Sequence, residues 1–231
     1  VLAGGVGMNV KMNMVIASLE EVDTYYVPAC PDDSSQAMGA ALSWLAKNEN
    51  VSSLFQSHTQ YQGQHAVVRT HDESTQLRKM IKDKLKDSNI KFQIKPYSRG
   101  EVAKYISRGL IAARCCGQEE FGARALGNRS ILADPRTLGV KKKINENVKN
   151  RDFWMPFACS VIDKYASVYF ELDSKVSCYK TMTLCCRTTE LGSRDLAAAI
   201  HPYDQTWHSS REIVSLGSAF PDIRLALQAT F

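Results

Sequence analysis

The residues best equipped for chemistry are crowded between Glu120 and Arg136, where the sequence runs EFGARALGNRSILADPR. Arg124, Arg129 and Arg136 fall there beside Glu120, Asn128 and Asp134. A guanidinium is a planar, permanently charged fork of N–H donors that matches the paired oxygens of carboxylate or phosphate. Gly122 and Gly127 let a ligand or a second stretch of backbone come close. The stretch therefore predicts an anion site in which Arg124, Arg129 and Arg136 bind and Glu120 and Asn128 orient them. The same residues permit a second arrangement, with the arginines spent on ion pairs to Glu119, Glu120 and Asp134 under a glycine-rich turn.

A second place for an anion lies at the start of the chain. VLAGGV (Val1 to Val6) followed by a helical pattern from Asn9 to Leu19 predicts strand, glycine turn and helix. Gly4 and Gly5 there either expose backbone N–H groups and a helix N-terminus to a nucleotide or form a plain tight turn. Asp32 and Asp33 stand before a predicted helix, Gln36 to Lys47, that Ser34 or Ser35 caps; both aspartates suit helix capping as well.

The elements that must hold these residues alternate. Thr24 to Val27 reads as a strand, Glu49 to Gly63 as a polar linker, and Ser74 to Asp87 as an amphipathic helix with Leu77, Met80, Ile81 and Leu85 on its apolar face. Ile90, Phe92 and Ile94 alternate as a strand, Glu101 to Ser107 forms a helix stopped at Gly109, and Leu110 to Ala113 is a buried strand leading into the arginine stretch. Leu138 to Asn150 predicts a basic helix with Val140, Ile144 and Val148 inward, and Arg151 to Ile162 a turn and a buried strand. Strand, helix and strand in this order predict an α/β fold with the site at the end of a strand of a parallel sheet.

Composition sets the bounds. At 231 residues, 44% of them hydrophobic, the chain has material for one large domain or two small ones. A net charge of +5 suits phosphorylated substrates, but apart from Lys141 to Lys143 the basic residues are dispersed, and nucleic-acid binding is not called for. The absence of a membrane-length apolar run and of a basic-then-apolar leader predicts a soluble cytoplasmic protein. Seven cysteines (Cys30, Cys115, Cys116, Cys159, Cys178, Cys185, Cys186) make an odd number without C-x-x-C spacing, which predicts reduced thiols used for packing. The chain opens on Val1 inside an apolar run and stops at Phe231 inside a helical pattern, so it reads as a piece of a longer protein.

EFGARALGNRSILADPR, with KKKINENVKNRDFWMPFA from Lys141 to Ala158, resembles the C-terminal region of the O-carbamoyltransferases of antibiotic and nodulation-factor biosynthesis. LAGGVGMNVKMN, near the start, is similar to the glycine element that this family shares with the tRNA threonylcarbamoyl transferases, both of the actin-like ATPase superfamily. The resemblance implies the tail of an actin-like ATPase domain over 1–50 and the carbamoyltransferase C-terminal α/β domain over 51–231. It implies ATP-dependent transfer of a carbamoyl group from carbamoyl phosphate, through carbamoyl adenylate, to a hydroxyl of a small-molecule or sugar acceptor. Gly4, Gly5 and Asn9 would then face adenosine, and Asp33 would be one ligand of a divalent metal, iron or magnesium, whose histidine partners lie outside this sequence.

The sequence departs from the family pattern Gly-Arg-x-Glu-Phe-Gly, having Gln118 for the arginine and Glu119 beside Glu120. In a second patch His201, Asp204 and Thr206 match, while His208 and Ser210 replace an arginine and a glutamine. His201 near Asp204 suits a general base or a satisfied turn. The departures keep open a non-catalytic anion-binding or nucleotide-binding protein, and the glycine element keeps open a relative of the tRNA-modifying enzymes.

Overall fold

The computed structural model of the chain describes residues 1–48, 60–66, 70–153 and 155–200, with the backbone of 213–215 and 225–230. His201, Asp204, Thr206, His208 and Ser210, and residues 49–59 of the predicted linker, lie outside the described residues.

Helices start where a side chain can accept from the first orphaned N–H groups. Asn9 caps α1 (Val10–Ala17), its Oδ1 accepting from the Met12 N–H at 3.1 Å. Helix α2 (Gln36–Asn48) is entered through one tight turn, Asp33–Ser35. The cap of that turn is Asp32, which accepts from the Ser34 N–H, in place of the serines the sequence suggested. A capping box between Thr70 and Glu73 opens α3 (His71–Leu85), and Ser98 opens α4 (Arg99–Ser107), which ends at Gly109 with φ 82°. Helix α5 (Gly139–Ile144) widens into a π turn, Asn145–Lys149, stopped by Asn150 in the left-handed region. Two short helices, α6 (Ala166–Tyr169) and α7 (Glu190–Asp195), follow.

The strands form three small sheets. β1 (Tyr61–Ala66) pairs with β3 (Gly117–Glu120). β2 (Ala112–Cys115), β4 (Arg129–Ala133), β9 (Leu225–Thr230) and β5 (Ala158–Val161) make a four-stranded sheet in that order. β6 (Phe170–Glu171), β7 (Cys185–Thr188) and β8 (Ile213–Ser215) make the third. All of these pairs are antiparallel. The result is a mixed α and β fold, without, among the described residues, the parallel sheet the sequence suggested. The cause is the connections: β2, β3 and β4 follow one another through turns too short for the helical crossover that parallel neighbours need.

The main core lies between the four-stranded sheet and α5, with Ile131, Ala133, Val140, Ile144, Phe157, Cys159, Val161, Phe170, Cys186 and Leu196 buried together. A second cluster joins Ala17, Tyr25 and Val27 to Val176, Cys178 and Leu184, so the first segment of the chain packs on residues from its later half.

Several predicted elements are corrected. Of the strand predicted over Val1 to Val6, Gly5 and Val6 instead open a 3-10 turn, Gly5–Met8. Neither residues 1–4 nor 24–27 join a sheet among the described residues; they are linked by a Leu2 N–H to Tyr26 carbonyl bond of 3.0 Å, and a single parallel bridge runs from Tyr25 to Val176. Ile90 to Ile94 has no strand partner among the described residues, and Tyr61 to Gly63, expected in the linker, belong to β1. Leu77 and Met80 of α3 are 38% and 52% exposed, so the apolar face expected to be buried is only partly covered by described residues. Val148, expected inward, is 49% exposed because the π turn rotates it off the inner face. The helical pattern before Phe231 is instead strand β9, where sheet pairing overrides local propensity. No helix among the described residues is long and apolar enough to cross a membrane.

Candidate functional site

Strand β3 delivers Glu120 into a loop, Phe121 to Asn128, that returns to β4 at Arg129. Glu120 organises the loop. Its Oε1 accepts from the backbone N–H groups of Leu126 at 2.9 Å, Asn128 at 2.6 Å and Arg129 at 3.3 Å. A carboxylate inside converging N–H dipoles is the arrangement a backbone nest offers to an anion, filled here by the chain's own side chain. Asn128 donates its Nδ2 to the Gln118 carbonyl at 2.7 Å, and Gly127 donates its N–H to Ser130 Oγ at 3.0 Å.

The three arginines have three fates. Arg129 turns its guanidinium onto backbone carbonyls: Nη1 donates to Cys116 and Asn128 at 3.0 Å each, and Nη2 to Gln64 at 3.1 Å. It thereby ties β1 to the turn between β2 and β3. Arg136 forks onto Asp134, with Nε 2.9 Å from Oδ1, and its own N–H caps the same oxygen at 3.0 Å. Burial alone would push the Asp134 carboxyl up, but the hydrogen bonds and charge of Arg136 bring it below the usual carboxylate range.

Arg124 is different. Its Nε is buried without a hydrogen-bond partner among the described residues. Desolvation holds its affinity for the proton below the ordinary arginine value, and Asp32 partly offsets this. Arg124 and Arg129 both line a cleft of about 150 Å³ with Glu119, Glu120, Gly122, Ala123 and Ala125.

The segment that follows the glycine turn reaches this loop through Cys30. Gly4 donates its N–H to the Pro31 carbonyl at 2.6 Å, which fastens the glycine turn to the segment that holds Asp32 and Asp33. Cys30 in turn sits against the loop, its Sγ donating to the Phe121 carbonyl at 3.0 Å. Gly122 has φ +120°, and a Cβ there would run into the Cys30 sulfur, so both the backbone conformation and the close approach require glycine. Burial, with the charge of Asp32, pushes the Cys30 thiol up.

A side chain at Gly4 or Gly5 would meet nothing within 4 Å, so the turn has an open face onto which a flat ligand could close. Asn9 spends its Oδ1 as the α1 cap. Asp33 is exposed and accepts from Gln36 Nε2 at 3.0 Å. Among the described residues no three His, Cys, Asp or Glu side chains come together as metal ligands, so these residues do not by themselves fit a metal.

Two positioning residues escape sequence reasoning. Asn13, fully buried on α1, donates to the carbonyls of Gly7 at 2.8 Å and Thr183 at 2.6 Å and accepts from the Tyr25 hydroxyl at 3.0 Å. Its only sequence signal is an amide within a largely apolar helical pattern. Asn145, also fully buried, accepts from Arg151 Nε at 2.7 Å and so holds that guanidinium over the Phe157 ring. Burial, followed by the charge of Arg124, lowers the proton affinity of Arg151.

Comparison with known proteins gives these contacts a context. Residues 103–211 match the family model described as the carbamoyltransferase C-terminus. An uncharacterised protein of Methanocaldococcus jannaschii is 36% identical over 202 residues, covering 87% of this chain and 32% of its own length. Nodulation protein NolO of Bradyrhizobium diazoefficiens is 30% identical over 200 residues, 87% of this chain and 35% of that protein. A 3′-hydroxymethylcephem-O-carbamoyltransferase of Amycolatopsis lactamdurans is 27% identical over 164 residues, 70% of this chain and 28% of that protein. The chain thus spans about a third of the length of these relatives. With its arginine loop inside the matched segment, the chain belongs to the carbamoyltransferase family and matches the C-terminal region of that family.

Proposed function

We propose that the full-length protein carrying this chain transfers a carbamoyl group from carbamoyl phosphate to a hydroxyl acceptor with ATP as co-substrate. Water cleaves carbamoyl phosphate to carbamate and phosphate. The carbamate oxygen displaces pyrophosphate from ATP to give carbamoyl adenylate, and the acceptor hydroxyl then displaces AMP. In this reading residues 1–50 are the tail of an actin-like ATPase domain and 51–231 the C-terminal carbamoyltransferase domain. The observation that carries it is the buried Nε of Arg124, without a hydrogen-bond partner among the described residues, in a cleft lined by the arginine stretch inside the matched segment. A desolvated guanidinium without an oxyanion is costly, and a phosphoryl group satisfies it with two parallel hydrogen bonds.

The other residues then have supporting parts. Glu120 and Arg129 fix the loop and the strand turn around Arg124. Arg136 is held by Asp134 beyond the loop, which assigns it a structural part. Asp32 balances the charge of Arg124 before the anion arrives. Gly4 and Gly5 offer their open face to adenosine. A divalent ion would need ligands beyond Asp33, and no step is assigned to it.

The test is carbamoyl-phosphate-dependent exchange of labelled pyrophosphate into ATP by the full-length protein, which needs no acceptor. Arg124→Gln should lower kcat/KM for carbamoyl phosphate by about a hundredfold or more, while Arg136→Gln stays within about threefold. Unchanged exchange in a folded Arg124→Gln variant refutes the assignment. Phosphate binding that depends on Arg124 in a wild-type protein with no exchange would establish the non-catalytic alternative that Gln118 raises.

A further inference from the structure

A larger cavity lies beside α4. It measures about 530 Å³, sits between α4 and β2, and is lined by Tyr97, Arg99, Val102, Ala112, Ala113, Arg114, Cys115, Cys116 and Leu132, sharing no residue with the cleft at Arg124. Val102, Ala112 and Leu132 form its floor and belong to the small apolar cluster under α4. Arg99 and Arg114 supply two cations, and Tyr97, 71% exposed, supplies a ring at the rim. No Asp or Glu is among the lining residues. A second cavity, of about 460 Å³, has Glu171 and Asp173 in its lining, so the all-cationic chemistry is particular to the first.

From this lining we infer that the cavity is a binding site for a small planar organic anion, a ring-bearing carboxylate, sulfonate or phosphate ester. The apolar floor takes the ring, Tyr97 and the guanidinium planes stack on it, and Arg99 and Arg114 receive the charge. The volume falls within the range of about 300–1,000 Å³ usual for ligand pockets. β2 is the edge strand of its sheet, with β4 on one side and no described strand on the other, so its outer backbone also borders the cavity. The two arginines, the ring and the floor have no part in the carbamoyl-transfer reading; Cys116 alone touches both, through its carbonyl, which accepts from Arg129.

Cys115, exposed in the lining, reports on the cavity directly. In the full-length protein, labelling of Cys115 is followed by peptide mass spectrometry with two disulfide reagents. One is the anionic aromatic dithiobis(nitrobenzoate) and the other the neutral dithiodipyridine. The ratio of anionic to neutral rate should fall about tenfold in Arg99→Gln/Arg114→Gln, since two nearby positive charges are lost. Anilinonaphthalene sulfonate should protect Cys115 in the wild type and fail to protect it in the double variant or in Val102→Trp, which fills the floor. A charge-matched control on α3, Arg78→Gln/Lys79→Gln, should leave the ratio unchanged. An unchanged ratio in the Arg99/Arg114 variant, an equal fall in the α3 control, or absence of protection in the wild type overturns the proposal. The neutral reagent confirms in each variant that the cysteine remains accessible.

Discussion

Replacing Glu120 by Ala should unlock the arginine loop. One carboxylate oxygen takes three backbone N–H groups, at 2.9, 2.6 and 3.3 Å. Hydrogen bonds to a charged group contribute about 1.5–3 kcal/mol each. The 3.3 Å bond is the weakest, and Glu120 is only half-buried, so water recovers part of the loss. A net cost of about 2–4 kcal/mol follows. For a chain of this size, that is a fall in Tm of roughly 5–15 °C. Glu120→Gln keeps an acceptor oxygen without the charge and should cost about half as much. Urea melts measure the stability, and amide exchange of the 121–129 segment localises it. Exchange there should accelerate far more than in β4. A loss below about 0.5 kcal/mol, or a loss without faster exchange in the loop, would show that the carboxylate does not hold the loop.

Gly122→Ala should destabilise by about 2–4 kcal/mol in a thermal melt, because φ +120° is strained for alanine and the new methyl meets Cys30; adding Cys30→Ala should restore only the steric share. Asn13→Ala removes the donor to the Gly7 and Thr183 carbonyls and the acceptor of Tyr25, and should cost about 2–4 kcal/mol, with a Tyr25→Phe double-mutant cycle showing coupling. Asp134 is held below the usual carboxylate range, so its contribution is present above the unfolded pKa and is lost as pH falls through the lower folded value. Urea melts at neutral pH and near pH 3 should therefore show a smaller acid loss in Arg136→Gln than in the wild type.

Local features were legible in the sequence, and long-range ones were not. The end of α4 at Gly109 and the inward Val140 and Ile144 of α5 follow from capping and periodicity, which act within a few residues, although α4 starts earlier than Glu101, at Arg99 behind the Ser98 cap. The concentration of chemistry between Glu120 and Arg136 was equally plain, but the division of labour among its arginines was not. Arg129 is claimed by the carbonyl of Gln64, far away in sequence, and Arg124 is set apart by the loop that carries Cys30 and Asp32. The alternation of Ile90, Phe92 and Ile94 looked like a strand, yet a strand needs a partner, which the pattern cannot supply.

Strand β9 lies between β4 and β5, with Ser130 opposite Thr230 and Ala158 opposite Gln228. During synthesis β4 and β5 leave the ribosome long before the segment that separates them. Until then they are two open edges with a strand-wide gap, able to pair wrongly with each other or with a neighbouring nascent chain. Closure of the main core is thus a high-contact-order event that waits for residues 225–230 to emerge, and the β4 and β5 edges need protection until then.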